Sequence, residues 1–548
     1  MDMDAGNRVL QVPWRQWSND AFEEARITRR PILLSISAVW CHWCHVMDRT
    51  TFSNENVIAT IEENFIPMRV NTDTRPDINA QYNMGGWPSV AILDHEAHAI
   101  AGTTYLPPDR MLSWLNQVLA EYDRLAKRAR DIQASRSIRW ARKQLSFDPS
   151  WDTYSSILEK VVAAYDREHG GFGGAPKFPM FDALDLLLHA SAASGNRAYI
   201  EIVRNTLAAM TTRGTFDHVE GGLFRYSTTR DWSIPHYEKM LLDNASLLLI
   251  LARAYESTGD NSLIAPANST AEYMNSVLFV PEFGAWAGSQ DADENYYALA
   301  ARDERKKRVP PRIDRVLYVD WNGRASAAMI RAGRAFEKPQ WVSIGVNALA
   351  EVFDKCFHFS TGLAHFYDGT PHVWGLAHDT ISYGATCLRA FHATGDMMWL
   401  ERSQKLAHRL IATHNTAFRN GERGEYVGEG LLTRLPASDD PPGFARTEPD
   451  FHENAYAALW FTRLAQAIPN MDSRGRLRLA AHSSLAFCHS SHELFDILAS
   501  PYALALAEYL ESSTTAHQRQ PDVECEGGVC RPSEHADSVR SHPYWAEP

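Results

Sequence analysis

The 548-residue chain has no run of five or more basic residues, the nearest being Arg305-Lys306-Lys307-Arg308 beside two prolines, and its net charge is −13. A surface that tracks phosphates must be locally basic, so nucleic acid is excluded as the expected partner. No stretch approaches 18 consecutive apolar residues, which leaves no candidate for a membrane-spanning helix. The first residues are acidic where a secretory leader is basic, and no apolar segment follows them, so a cytoplasmic location is expected. Cysteine is scarce, with seven in the whole chain. Cys356, Cys387 and Cys488 stand alone in apolar helical stretches and read as small buried hydrophobes. Cys41 with Cys44, and Cys525 with Cys530, form two close pairs. In a reducing compartment such pairs suggest redox or metal chemistry rather than a disulfide framework.

What is present points to several domains. The length exceeds one ordinary core, and 45% hydrophobic with 22% charged residues is the balance of globular domains. Residues 1–130 alternate strand and helix patterns. Pro31 to Ser37 is a compact apolar strand, Asn54 to Phe65 has helix spacing, and Ile66 to Val70 reads as the next strand. Ser89 to Asp94 and Ala99 to Leu106 look like a closing pair of strands, and a long helix opens at Asp109. That order predicts an α/β domain. From 150 to 513 roughly twelve helix-period segments follow, including Trp151 to Arg167, Glu238 to Ser257, Leu376 to Thr394 and Glu453 to Ala467. They fit an α-solenoid or a toroid of six hairpins, and no residue-level repeat is visible. Residues 514–548 are polar and Pro-rich and read as a tail.

Cys41-His42-Trp43-Cys44 follows the buried strand at the point where a helix should start. Two intervening residues bring both sulfurs together on one turn, and a helix N-terminus stabilises a thiolate on Cys41. Cys41 is then the nucleophile and Cys44 the resolving thiol. Pro88, in Gly85-Gly86-Trp87-Pro88, suits a cis-proline facing the pair, and Trp43 and Trp87 are placed to contact a substrate. Other readings stay open: the C-x-x-C-H pattern of haem attachment, an inert pair, or zinc held by Cys41, Cys44, Cys525 and Cys530. The tail pair Cys525 and Cys530 also qualifies as a second dithiol. Apart from that zinc alternative, no cofactor is expected.

In the helical region the polar types converge most densely at Trp232 through Asn244. A helix beginning near Pro235 would carry Glu238 and Lys239 in its first turn, with His236 at its mouth. His236, Glu238, Lys239 and Asp243 are the catalytic candidates for glycosidic cleavage or proton abstraction beside a carbonyl. Lys177, Trp232, Tyr237, Asn244, Asp291, Asp293, Trp321, Asp379 and His452 are the substrate-binding candidates. Each has a structural reading too, since acids cap helices whatever the function and aromatics at helix spacing pack cores.

WCHWCHVMDRTTFSNENV, Arg75-Pro76-Asp77-Ile78, GGWPSVAILD, GGFGGAPKFPM, the stretch 221–248 and SQDADE together resemble the YyaL-like DUF255 family (spermatogenesis-associated protein 20-like). Cys525 to Cys530 resembles that family's cysteine-bearing C-terminus. The resemblance implies a multidomain chain: an N-terminal α/β thioredoxin-like domain followed by an all-α (α/α)6 six-hairpin toroid, similar to six-hairpin glycosidases and N-acylglucosamine 2-epimerases. This chain departs from the pattern between Arg75 and Gly85, and from Tyr296 to Pro311, where part of the toroid is expected to be trimmed. The leading expectation is a thiol–disulfide redox protein whose toroid binds a small or sugar-like substrate, with a protein thiol as a further partner. A carbohydrate-active epimerase or hydrolase with a structural thioredoxin-like module is the alternative. A zinc-binding or non-catalytic interaction protein is the third.

Overall fold

The computed structural model describes residues 11–140, 147–415, 430–437, 440–445, 447–518, 523–526 and 529–532. Alternation in β1 (Ile32–Ser37) sends Ile32, Leu34 and Ile36 to one face of a sheet and Leu33 to the other. β1 pairs in parallel with β2 (Ile66–Asn71) and antiparallel with β3 (Ser89–Leu93), which pairs antiparallel with β4 (Ala99–Thr103). The order is β2-β1-β3-β4. Helices α1 (Asn19–Thr28) and α4 (Pro76–Tyr82) cover one face through Phe22, Ile78 and Tyr82. Helices α2 (His42–Thr50), α3 (Glu55–Asn64) and α5 (Pro108–Ala120) cover the other through Met47, Ile58, Ile61 and Leu115. Asn54 begins α3 by accepting the Asn56 and Val57 N–H groups, as its position before an apolar period predicts. The long helix expected from Asp109 breaks at Glu121 and continues as α6 (Tyr122–Trp140).

The described residues between 151 and 518 form a closed ring. Six inner helices, α8 (Phe181–Ser194), α10 (Leu241–Thr258), α12 (Val319–Ala335), α14 (Ala377–Thr394), α16 (Phe451–Ala467) and α18 (Ser500–Gln518), pack each against the next, and α18 returns to α8. Outer helices α9 (Arg197–Thr212), α11 (Ile264–Tyr273), α13 (Pro339–Cys356), α15 (Met397–His414) and α17 (Met471–His489) each follow and cover an inner one. The sixth outer helix, α7 (Trp151–Ala163), comes from the front of the domain and packs on α18. An inner helix such as α16 buries residues on nearly every side, whereas α15 is amphipathic. Residues 296–311, where trimming is expected, lie in the connection between α11 and α12. Joining the two ends of the domain closes all six hairpins and leaves no solenoid.

A repeat absent from helix periodicity emerges in the loops. Asp166-x-x-x-Gly170-Gly171 and Asp217-x-x-x-Gly221-Gly222 make the same turn, with Gly170 N–H on Asp166 O at 2.8 Å and Gly221 N–H on Asp217 O at 2.9 Å. Each turn is tied by a fully buried lysine. Lys177 Nζ donates to Asp166 and to Gly170 O (2.9 Å), and Lys239 Nζ to Asp217 (2.6 Å) and Gly221 O (2.8 Å). Asn244, Asn322 and Asn454, fourth in α10, α12 and α16, form a second repeat. The side-chain amide of each binds both backbone groups of one loop residue (Leu223, Trp286 and Leu431), bracing the loops on the helix starts.

The thioredoxin-like domain sits on the loops at the inner helices' N-terminal end. Phe444, from a toroid loop, enters the α1–α4 core beside Trp17 and Tyr82, with the Arg434 guanidinium 3.9 Å from its ring. Gly443 approaches so closely, its N–H 2.6 Å from Glu96 O, that an added Cβ would lie 2.6 Å from that oxygen. No described helix is long and apolar enough to cross a membrane. In the tail, Val523–Glu526 pairs antiparallel with Val529–Pro532, placing Cys525 opposite Cys530. The side chains of Cys525 and Cys530 lie outside the described residues, and with them the expected second dithiol or zinc set.

Candidate functional site

Cys41 caps α2, its Sγ accepting the Cys44 N–H at 3.1 Å, and the two cysteines are joined as a disulfide with Cα atoms 5.2 Å apart. The Trp87–Pro88 bond is cis, as expected for Pro88. The pair is only 4% and 2% exposed, because it packs with Ala38, Trp40 and Met240, flanked by Trp87 and by Trp321 of the toroid. The Arg225 guanidinium lies 4.0 Å from the Trp40 ring and 5.3 Å from that of Trp87. Trp43 points elsewhere: it is 49% exposed and leans on Tyr105. His45 reaches across to Asp291 (3.4 Å), whose hydrogen bond raises the imidazole pKa. Asp291 thus joins the two domains.

The helix expected from Pro235 begins later, at Leu241. Residues 235–236 and 239–240 are extended because their backbone partners lie in neighbouring loops: Tyr226 faces His236, Gln290 faces Lys239, and Arg225 N–H binds Glu238 O at 2.9 Å. His236 Nδ1 is bonded to the buried Glu238, and its ring stacks on Tyr226 at 4.8 Å. Glu238 Oε1 has no hydrogen-bond partner among the described residues. Asp243 is half-buried, and burial pushes its carboxyl up to about 6 against the pull of Arg225 and Arg324.

The other candidates divide. Lys177 and Lys239 are locked in their turns, and Trp232 is buried with its Nε1–H on Gly170 O (3.1 Å). Tyr237 stacks on Tyr297, and Asp293 caps a short turn by accepting the Tyr296 N–H. His452 faces outward to Leu498 O, while its neighbour Glu453 points inward. Asn244 belongs to the loop-bracing set. Trp321 and Asp379 do lie at the mouth.

That mouth is assembled from the first turns of five inner helices, where acids are favoured by the helix dipole. They supply Asp182, Asp243, Asp320, His378 with Asp379, and Glu453. Tyr456 O–H donates to Asp182 at 2.7 Å, and Arg324 lies 5.5 Å from the Tyr456 ring. Burial pushes Glu453 up to about 7 although His378 is bonded to it. From strand Gly362–Tyr367 comes His365, hydrogen-bonded to Asp379 at 3.0 Å and to Asp73 O at 2.7 Å. Asp73 in turn accepts Trp40 Nε1–H at 2.7 Å, which links the disulfide's neighbour to the toroid. A cavity of about 610 Å³ along the seam between the domains is lined by Asp77, Tyr82, Arg434, Asp450, Glu453 and His378. Sequence reasoning missed His365, His378, Asp320, Arg225 and Arg324. The one visible signal was the polar residue recurring at the second or third position of successive inner helices.

Residues 7–143 match the family model described as Thioredox_DsbH, protein of unknown function, DUF255. The chain is 33% identical over 308 residues to spermatogenesis-associated protein 20 of Rattus norvegicus, a match covering 52% of this chain and 39% of that one. It is 32% identical over 305 residues to uncharacterized protein B0495.5 of Caenorhabditis elegans, covering 52% and 41%. The chain thus spans about two fifths of the length of these curated relatives. Among solved structures, cellobiose 2-epimerase from Bacillus thermoamylovorans B4167 is 13% identical with a TM-score of 0.50, covering 66% of this chain and 98% of that one, a likeness of fold alone. On these matches the N-terminal domain is similar to the DUF255 family, and just over half of the chain is similar to part of spermatogenesis-associated protein 20.

Proposed function

We propose that the protein is a thiol–disulfide oxidoreductase whose reactant is a small, polar, sugar-like thiol or disulfide held in the toroid's mouth. The observation that carries this reading is the burial of the Cys41–Cys44 pair against Met240 and Trp321 of the toroid, which closes it to a bulky protein substrate. In the reduced form the Cys41 thiolate, at a helix N-terminus, attacks one sulfur of a small disulfide. One thiol leaves with a proton, and the other stays joined to Cys41. Cys44 then attacks that bond, the second thiol leaves with a proton, and Cys41–Cys44 is oxidised as the substrate gains two electrons. Arg225, Asp243 and the His236–Glu238 pair supply donors and acceptors for hydroxyl groups.

Cys44→Ser should accumulate a small-thiol adduct on Cys41, read by intact mass, whereas Cys41→Ser should not. Equal behaviour of the two variants, or reduction of a protein disulfide as fast as a small glycosyl disulfide, rejects the reading. A second reading, acid–base chemistry on a carbohydrate, is favoured by the half-buried His236 paired with the buried Glu238, whose Oε1 has no partner among the described residues. It requires that product form undiminished in a Cys41→Ser/Cys44→Ser double variant.

A further inference from the structure

We infer that His365, His378, Asp379 and Asp320 form a binding site for one divalent transition-metal ion, zinc foremost. The inference is independent of the redox reading and involves none of the cysteines.

It starts from what each imidazole's outer nitrogen is doing. His365 Nε2 lies 2.7 Å from the Asp73 carbonyl, which can only accept, so that nitrogen carries a proton, and in the neutral ring Nδ1 presents a lone pair. His378 Nδ1 faces Glu453 Oε1 at 3.3 Å; with that carboxyl ionised Nδ1 donates to it, and the neutral ring then presents Nε2 as a lone pair. The two lone-pair nitrogens face each other at 3.3 Å. The Asp379 carboxylate lies 3.0 and 3.1 Å from His365 Nδ1, and 3.7 Å from His378 Nε2. One donor atom from each of these residues and from Asp320 lies within 4.8 Å of all the others.

Acceptors converging in this way need a cation among them. Protons on the two rings would answer the contacts with Asp379, yet they would leave Asp320 Oδ1, buried and without a hydrogen-bond partner among the described residues, unsatisfied. A metal ion answers all of them. With bonds of about 2.0 to 2.1 Å, tetrahedral ligands stand roughly 3.3 to 3.4 Å apart, which is the spacing found between the two nitrogens. Two imidazoles and two carboxylates suit zinc and its neighbours rather than calcium, and the two carboxylates balance a double positive charge. The outer hydrogen bonds from the rings to Glu453 and to the Asp73 carbonyl are what hold metal-ligating histidines in orientation. His378 and Glu453 also line the seam cavity, which gives an ion a route to the site.

The test uses the full chain with Cys41, Cys44, Cys525 and Cys530 all changed to Ser, stripped with a chelator and dialysed against zinc, and separately against cobalt for its visible spectrum. We expect one equivalent of metal with a tetrahedral cobalt spectrum. Glu453→Gln should weaken binding by about 10- to 100-fold, as loss of an outer partner does. Asp379→Asn should abolish binding. Should Asp379→Asn fail to fold, Asp320→Asn decides: binding at least tenfold weaker with unchanged unfolding supports the site, and unchanged binding overturns it. No metal retained by the cysteine-free chain, or metal retained only when the cysteines are present, also overturns it.

Discussion

In the thioredoxin-like domain the residues that carry chemistry are neighbours along the chain. Cys41 through Cys44 occupy one helical turn, and cis-Pro88 arrives on the adjacent strand. In the toroid, Asp182, Asp243, Asp320, His378 and Glu453 come from five helices and meet only because the ring closes. The first kind of site is written in local geometry, so a substitution there alters reactivity with little effect on the fold. The second kind depends on loops and helix starts held in register, so residues that touch no substrate still decide whether it exists.

The largest expected effect breaks the second site from a distance. Lys239→Ala strands Asp217 in a buried loop, which Arg305 only partly neutralises, and should cost about 3–5 kcal/mol in denaturant unfolding. The thiol reactivity of Cys41 should not change until the toroid unfolds. A loss under about 1 kcal/mol would return Lys239 to the list of pocket residues.

Gly443→Ala tests the contact between the two regions. The added methyl meets Glu96 O and the Ala97 backbone, neither of which can turn aside. Overpacking of this kind costs about 1–3 kcal/mol. It should raise the rate at which a small phosphine reduces the Cys41–Cys44 bond, because docking is what covers it. An unchanged rate would mean that the disulfide is reached by another route.

A pH measurement sharpens the comparison inside the mouth. Burial raises the Asp243 carboxyl to about 6, so its folded form holds a proton that the unfolded chain has released. Its contribution to stability is full below the ordinary carboxylate range, near pH 4, and is lost as pH rises through about 6. Asp243→Asn stays neutral throughout, so its unfolding free energy should gain on the parent's between about pH 4 and 6 and hold level above. Parallel profiles would show that Asp243 is solvated. The smallest effect belongs to the outer surface of the N-terminal domain. Changing Arg26 of the exposed Arg26–Glu23 pair to Ala should leave the denaturant midpoint unchanged within error, because solvent screens the pair.

The contrast also separates what was legible in the amino-acid order from what was not. The strand before Cys41, the helix from about Asn54 to Phe65 and the cis-proline position were readable because each rests on a few consecutive residues. The helix expected from Pro235 was misplaced because the partners of its backbone lie in loops 226–227 and 289–290. His452 was singled out and its neighbour Glu453 was not, since neighbours on a helix point about 100° apart and only packing says which one faces the axis. Asn244, Lys177 and Lys239 carry polar atoms suited to a ligand, yet their partners are turns of the same chain.

By itself, then, the sequence determined an α/β domain with a cysteine pair at a helix start, a dozen helices after it, and no run of 18 apolar residues, because periodicity and local turn chemistry act over a few residues. Only the tertiary structure decided that the helices close into a ring, that the disulfide is pressed against its mouth, and that His365, some three hundred residues from Asp73, meets it there. Burial and facing depend on contacts between segments far apart in the chain, and no local pattern encodes the distance between them.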